Sequence, residues 1–322
     1  MFRYVLFVFL AIFGTATAAL SYAAEFPQKP IRILVSFTPG DGPDVVARLI
    51  GAKISAALGQ PVVVENKPGA SGQIAITDLA RSAADGYSLA VGLVTNIALA
   101  PHAYKKIPYD PLKDLTPVAM IGANYLALVV APDSKFKTTA DLIRWAKENP
   151  GKLNVGTTSI GGFPHMSFEL LALKEGFKFT NVAYKGNGPL TVDLLGGRLE
   201  AGFSSYTGFA SLIESGKLTL LGISSPEPDP SLPNLPLMRD GSPGYGSLGW
   251  FGFFAPAGVS PEIVKILNTS INAAMQSADV KQSMQKLGMN PWPLSPQAFG
   301  EIVEKDFIKF KKLVSDISYT PE

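Results

Sequence analysis

The chain of 322 residues contains no cysteine, which excludes disulfides, thiolate nucleophiles, iron–sulfur clusters and cysteine-ligated zinc. Histidine is almost as scarce. His102 and His165 are the only imidazoles and stand far outside the HExxH spacing of helical zinc sites, so no catalytic metal is expected. Net charge is nearly absent as well, with 28 Lys and Arg against 26 Asp and Glu. That balance gives no footprint for nucleic acid or another polyanion. No GxxxxGK[ST] loop is present, so nucleotide cofactors are not expected, nor is any other cofactor. Hydrophobic residues make up 47% of the chain, which rules out a disordered polar polymer.

One long apolar run does occur, at the start. Met1 to Ala24 holds a single charge, Arg3, then an apolar stretch from Tyr4 to Phe13 and a run of small residues. Such an order reads as a secretory signal peptide over residues 1–24, with Ser21-Tyr22-Ala23 offering a small-x-small cleavage site. Gly14, Thr15 and Thr17 break the run before the roughly 20 residues a membrane helix needs. The expected product is an exported, soluble protein.

From Ile31 onward, short β-rich runs alternate with amphipathic ones. Strands are expected at Ile31–Phe37, Pro61–Glu65, Ser88–Leu93, Pro117–Gly122, Leu126–Val130, Leu153–Thr157, Asn181–Tyr184, Leu199–Phe203 and Leu218–Ile223. Helical spacing links most of them, which predicts an α/β protein with sheets covered on both faces. Residues 225–249 are rich in Pro, Gly and Ser. Beyond the apolar run Trp250–Ala255 the sequence is mostly helical and supplies no strands of its own, so it must pack on the first sheet. The expected division is a discontinuous first domain, 25–124 plus 250–322, around a second domain, 125–249, with a cleft between two hinged lobes.

Three strand-to-helix turns share one construction. They are Pro39-Gly40-Asp41-Gly42-Pro43-Asp44, Ser159-Ile160-Gly161-Gly162-Phe163-Pro164-His165 and Lys185-Gly186-Asn187-Gly188-Pro189. Proline at a first helical position loses nothing, because that N–H has no intrahelical partner. The remaining free N–H groups at the positive end of the helix dipole form a receptacle for an anion. Hydroxyl residues Thr95, Thr157, Thr158, Ser159, Ser204 and Ser205 stand at neighbouring strand ends. Ordinary loop punctuation explains any one such turn; three together favour a cleft that recognises an anion.

Catalysis has less support. Thr157-Thr158-Ser159-Ile160-Gly161 is not a GxSxG elbow, and a Ser159–His165 pair lacks an evident orienting acid.

Nearly the whole mature sequence, from Phe26 to about Ser315, resembles the periplasmic receptors of tripartite tricarboxylate transporters, the Bug family. The resemblance rests on Phe26-Pro27-Gln28-Lys29-Pro30-Ile31-Arg32, on Leu58 to Ala70 (LGQPVVVENKPGA), on Ala84-Asp85-Gly86-Tyr87 and Pro108-Tyr109-Asp110-Pro111. It continues through Tyr184-Lys185-Gly186, Asp193-Leu194-Leu195-Gly196-Gly197, Trp250-Phe251-Gly252 and Ala255-Pro256-Ala257-Gly258. It implies a periplasmic-binding-protein fold that closes on a small organic acid and delivers it to a membrane permease. It also implies two carboxylate-holding loops, here Phe37–Asp44 and Thr157–His165, completed by Thr95, Asn96, Ser204 and Ser205.

Two departures bear on the ligand. Where the family has Pro-Gly-Gly-Gly-Thr-Asp, this chain has Asp41 and Pro43, and where the family has an Asp after the strand Phe it has Ser204. The candidate contacts are therefore Phe37, Pro39, Gly40, Asp41, Gly42 and Asp44, then Thr95 and Asn96, and finally Thr158, Ser159, Gly161, Gly162, Phe163, His165, Ser204 and Ser205. The expected ligand has one well-held carboxylate and a more neutral or bulkier far end. Phe163, Tyr206, Phe209 and Tyr125 are available to stack on a ring, with core packing as the competing account. The function expected is reversible capture of a dicarboxylate or aromatic carboxylate by a monomeric receptor. The alternatives are an exported lyase or hydrolase using Ser159 and His165, or a sensor that presents its ligand to a signalling partner.

Overall fold

Residues 26–158, 160–228, 234–287 and 289–319 are described by the computed structural model. The expected export signal and Ser159 lie outside the described residues.

Strand β1 (Ile31–Val35) is buried except at Arg32, because the sheet it joins is covered on both faces. Ser36 and Phe37, expected in this strand, leave the ladder to begin the turn. Pro43 then helps to start α1 (Gly42–Leu58), which buries Val46, Ala47, Ile50 and Ile54 and stops at Gly59, a left-handed residue with φ of 67°. Next come β2 (Val62–Asn66), α2 (Gln73–Ala80) and β3 (Ser88–Leu93), with β2 and β3 both parallel to β1. A single π-helical turn at Thr95–Leu99 and the short α3 (Ala100–Ala103) lead to β4 (Leu115–Asn124).

Immediately beyond β4 the chain enters a second sheet with β5 (Leu126–Val130). There follow α4 (Thr139–Glu148), β6 (Leu153–Thr157), α5 (Phe163–Glu175), β7 (Phe179–Ala183), α6 (Asn187–Leu195), β8 (Ala201–Ser205), α7 (Tyr206–Glu214) and β9 (Thr219–Ile223). The second sheet runs β7-β6-β8-β5-β9. The chain returns through β10 (Gly249–Pro256), then α8 (Pro261–Gln276), α9 (Ala278–Lys286), β11 (Asn290–Pro291) and α10 (Pro296–Asp316). The first sheet reads β11-β4-β10-β3-β1-β2.

This corrects one expectation about the terminal block. Trp250–Ala255 is the heart of β10, which is fully buried and antiparallel to both β3 and β4, and β11 adds a short edge strand. Two residues, one of them proline, carry too little periodicity to announce a strand.

The lobes share apolar packing. On the first sheet, α10 is fixed where the Trp250 indole N–H donates to Asp306 Oδ2 at 2.8 Å. Further along, Phe310 meets Phe163 of α5 edge-on, with 6.2 Å between ring centroids. One buried cluster consequently includes Leu34 and Leu79 of the first lobe and Phe168, Leu171 and Phe203 of the second.

Candidate functional site

Parallel pairing places the carboxyl ends of β1, β2 and β3 side by side in one lobe, and those of β6, β7 and β8 in the other. Ligands of open α/β sheets bind at such ends.

In the first lobe the β1–α1 turn is organised by Asp44, which is only 2% exposed. Its Oδ2 accepts from the Gly40 amide at 2.9 Å and from Arg48 Nε at 3.1 Å, and its Oδ1 accepts from Asn66 Nδ2 at 2.7 Å. Asn66 Nδ2 also donates to the Phe37 carbonyl at 3.0 Å. Burial alone would raise the pKa of this carboxyl, but the hydrogen bonds from Arg48, Gly40 and Asn66 outweigh it and hold it below the ordinary value. Asp44 is thus a neutralised strut, and the Gly40 amide, expected to be free for a ligand, is committed to it.

Asp41 behaves differently. It is exposed beside exposed Pro39, and its carboxylate accepts from Thr38 Oγ1 at 2.5 Å. It makes no capping bond to α1, so its charge lies on the outer rim of the turn. Gly42 begins α1 against Met289, whose methyl lies 3.1 Å from where a Cβ would stand.

After β3, Thr95 is half-buried while Asn96 is 1% exposed. Asn96 Oδ1 accepts from the Leu93 amide at 2.8 Å, and its Nδ2 is buried against Gly72. A Cβ at Gly72 would sit 2.4 Å from that nitrogen. Gly72 closes a left-handed run, Gly69 to Gly72, with φ values of 116°, 46°, 52° and 88°. Sequence reasoning did not count this loop as part of the site. Its signal was the Gly-x-x-Gly spacing directly after a strand.

In the second lobe, Thr158 Oγ1 and Ser204 Oγ lie 3.2 Å apart, joining the ends of β6 and β8. Ser205 Oγ and Thr207 Oγ1 form a second hydroxyl pair at 2.8 Å. The Gly161 amide donates to His165 Nδ1 at 3.0 Å, so that nitrogen is the acceptor and Nε2 carries the proton toward Glu169 Oε1, 3.2 Å away. His165 is buried and both ring nitrogens are engaged within its own lobe. The imidazole is therefore spent on shaping the turn, which removes the base from the enzymatic alternative.

The Gly162 carbonyl accepts from the Met166 amide, the first helical bond of α5. Phe163 is buried against Phe310. Of the other aromatics considered for stacking, Phe209 and Tyr125 are buried too, and only Tyr206 is half-buried.

Two depressions lie elsewhere. One of 680 Å³ is lined by α5, α10 and the second crossing, including Lys174, Tyr245, Leu248 and Lys305. Another of 330 Å³ lies beside Tyr125, Pro226 and Trp292. None of the expected carboxylate contacts lines either one, though Tyr125, considered for stacking, lines the second. The first is walled largely by the flanks of α5 and α10 and the second by the two crossings and β11, and several of their charges are already paired, as in Lys309–Asp306 and Arg239–Glu227. The strand ends, where hydroxyls and helix starts converge, are the better candidate.

The profile of a family described as "Tripartite tricarboxylate transporter family receptor" matches residues 46–319. Protein BugT of Bordetella pertussis is 37% identical over 298 residues, covering 89% of this chain and 90% of that protein. An R. palustris protein solved with adipate superposes with a TM-score of 0.72 at 32% identity, over 92% of this chain and 100% of that one. A TctC solute binding protein from Polaromonas gives a TM-score of 0.82 at 25% identity, over 90% and 99% of the two chains. MatC from Rhodopseudomonas palustris with bound malate gives 0.70 at 29% identity, over 90% and 100%.

Proposed function

This chain belongs to the tripartite tricarboxylate transporter receptor family, and from that premise we propose that it binds a small aliphatic carboxylate between its lobes and hands it to a membrane permease. Receptors of this family are periplasmic solute-binding proteins and not enzymes. We read the chain as exported through residues 1–24 and acting as a monomer. Its first domain is 25–124 plus 250–322 and its second 125–249, a division supported by which strands share a sheet.

The observation that carries the ligand class is the second-lobe wall. Thr158, Ser204, Ser205 and Thr207 form two bonded hydroxyl pairs. Each pair has two protons and uses one internally, which leaves one O–H to donate outward. Such a wall suits an oxygen acceptor and offers no counter-ion for an ammonium group. Facing it, the first lobe contributes Phe37, the start of α1 at Gly42, Thr95 and the Gly69–Gly72 loop, while Asp44, Asn96 and His165 hold these parts in place. An aromatic ligand is less favoured, because three of the four rings that were to stack on it, Phe163, Phe209 and Tyr125, are buried. The relatives solved with adipate and malate are consistent with an unaminated carboxylate.

The test is a thermal shift with adipate, malate, citrate, glutamate and benzoate. At ligand concentrations about 100-fold above Kd, stabilisation of about 2.7 kcal/mol is expected, which raises Tm by several degrees. Thr158→Val and Ser204→Ala should each lose most of that rise while leaving the ligand-free Tm nearly unchanged. A flat response to every acid would sink the reading, and stabilisation by glutamate alone would overturn the unaminated class.

A further inference from the structure

The β6–α5 turn of the second lobe is held from outside its own lobe. After α10, the Tyr319 amide donates to the Val314 carbonyl at 3.1 Å and the Ser318 amide to the Ser315 carbonyl at 3.2 Å. Ser318 takes a left-handed conformation with φ of 51°. This is the Schellman pattern, normally built on glycine, and a serine there carries a conformational cost. Its effect is to reverse the chain and aim Tyr319 at the second lobe.

Tyr319 arrives at Gly161. Its hydroxyl oxygen lies 2.4 Å from where a Cβ on Gly161 would be, so only glycine fits there, and Gly161 itself is left-handed with φ of 66°. The Tyr319 ring meets the His165 ring edge-on, with 6.5 Å between centroids. His165 is the residue whose Nδ1 holds the Gly161 amide, and Glu169 orients it. Earlier on α10, Phe310 packs on Phe163 of the same segment.

We propose that Tyr319 is a positioning residue for ligand capture: carried by the last helix of the first lobe, it fixes Gly161 and His165 of the second-lobe turn before ligand arrives. The proposal rests on the reading of that turn as ligand-contacting. A turn already ordered spends no binding free energy on its own ordering.

Hydrogen–deuterium exchange on the ligand-free protein tests the anchoring without any ligand. Tyr319→Ala is expected to speed exchange in the peptide covering Gly161–His165 by about tenfold, with peptides of α1 and α8 unchanged. Calorimetric titration with adipate and malate should show affinity weakened by a similar factor. A second measurement uses the steric contact. Gly161→Ala should be destabilising, and adding Tyr319→Phe or Tyr319→Ala should recover part of the loss, since either reduces the collision. Tyr319→Phe keeps the ring and serves if Tyr319→Ala does not fold. Wild-type exchange in the turn of a folded Tyr319 variant, or strictly additive effects at positions 161 and 319, would overturn the proposal. If wild-type protein bound neither acid while the exchange and coupling results held, the anchoring would stand and the ligand class would fall.

Discussion

Asp44 accepts hydrogen bonds from the Gly40 amide of its own turn, from Arg48 of α1 and from Asn66 of β2, and that defines what it does. Its native pKa lies below the unfolded value of 3.8. Its contribution to stability is therefore complete above that value and is lost as pH falls through the lower native one. Asp44→Asn should cost about 1–3 kcal/mol at pH 7, because Arg48 and the Gly40 amide lose a charged acceptor. Urea denaturation from pH 7 to pH 2 should show the gap between variant and wild type closing only at the acid end. A gap independent of pH would mean that the charge is not what matters. Asp44, Asn96 and His165 are candidate ligand contacts from sequence, and in the structure each accepts from a backbone amide of its own segment, those of Gly40, Leu93 and Gly161. A sequence shows that a turn contains a polar side chain. It does not show whether a neighbouring backbone amide has already claimed it.

At the scale of elements, the clearest sequence signals were prolines at helix starts. Pro43, Pro164, Pro261 and Pro296 each stand in the first turn of an observed helix, since φ near that of a helix and a missing N–H suit that place alone. Apolar runs such as Leu126–Val130 and Leu153–Thr157 became strands with their expected bounds. The Gly69–Gly72 loop and the π turn after β3 had no periodicity to betray them, being shaped by contacts with Ser36, Asn96 and Tyr109. The edge strand β11 depends on one residue of β4, for a Cβ at Gly122 would lie 2.4 Å from the Asn290 carbonyl oxygen. Gly122→Ala must push the two backbones apart and should cost about 1–3 kcal/mol in chemical denaturation. Loss of protection should appear in β11 and α9 first. An unaltered denaturation midpoint would mean that this edge adds little to stability.

Across the whole molecule, the lobes meet at more than their two chain crossings. Phe310 is fully buried and joins α10 to α5, so bending between lobes must keep that contact as a pivot or slide along it. Phe310→Ala should remove about 3–5 kcal/mol and weaken cooperation between lobes. Calorimetry of the wild type should show one unfolding transition, and the variant two. Two transitions in the wild type would contradict the shared packing. X-ray scattering with and without adipate should report a smaller radius of gyration on binding, and an unchanged radius would argue against closure.

A helix belonging to one lobe but finished by the other sets a rule for recombination. Chimeras that exchange the second lobe between two relatives at the crossings after Asn124 and before Gly249 would separate Phe163 and Gly161 from the Phe310 and Tyr319 that complete them. A working hybrid must import the end of α10 from the same parent as α5, although the two segments are far apart in the gene.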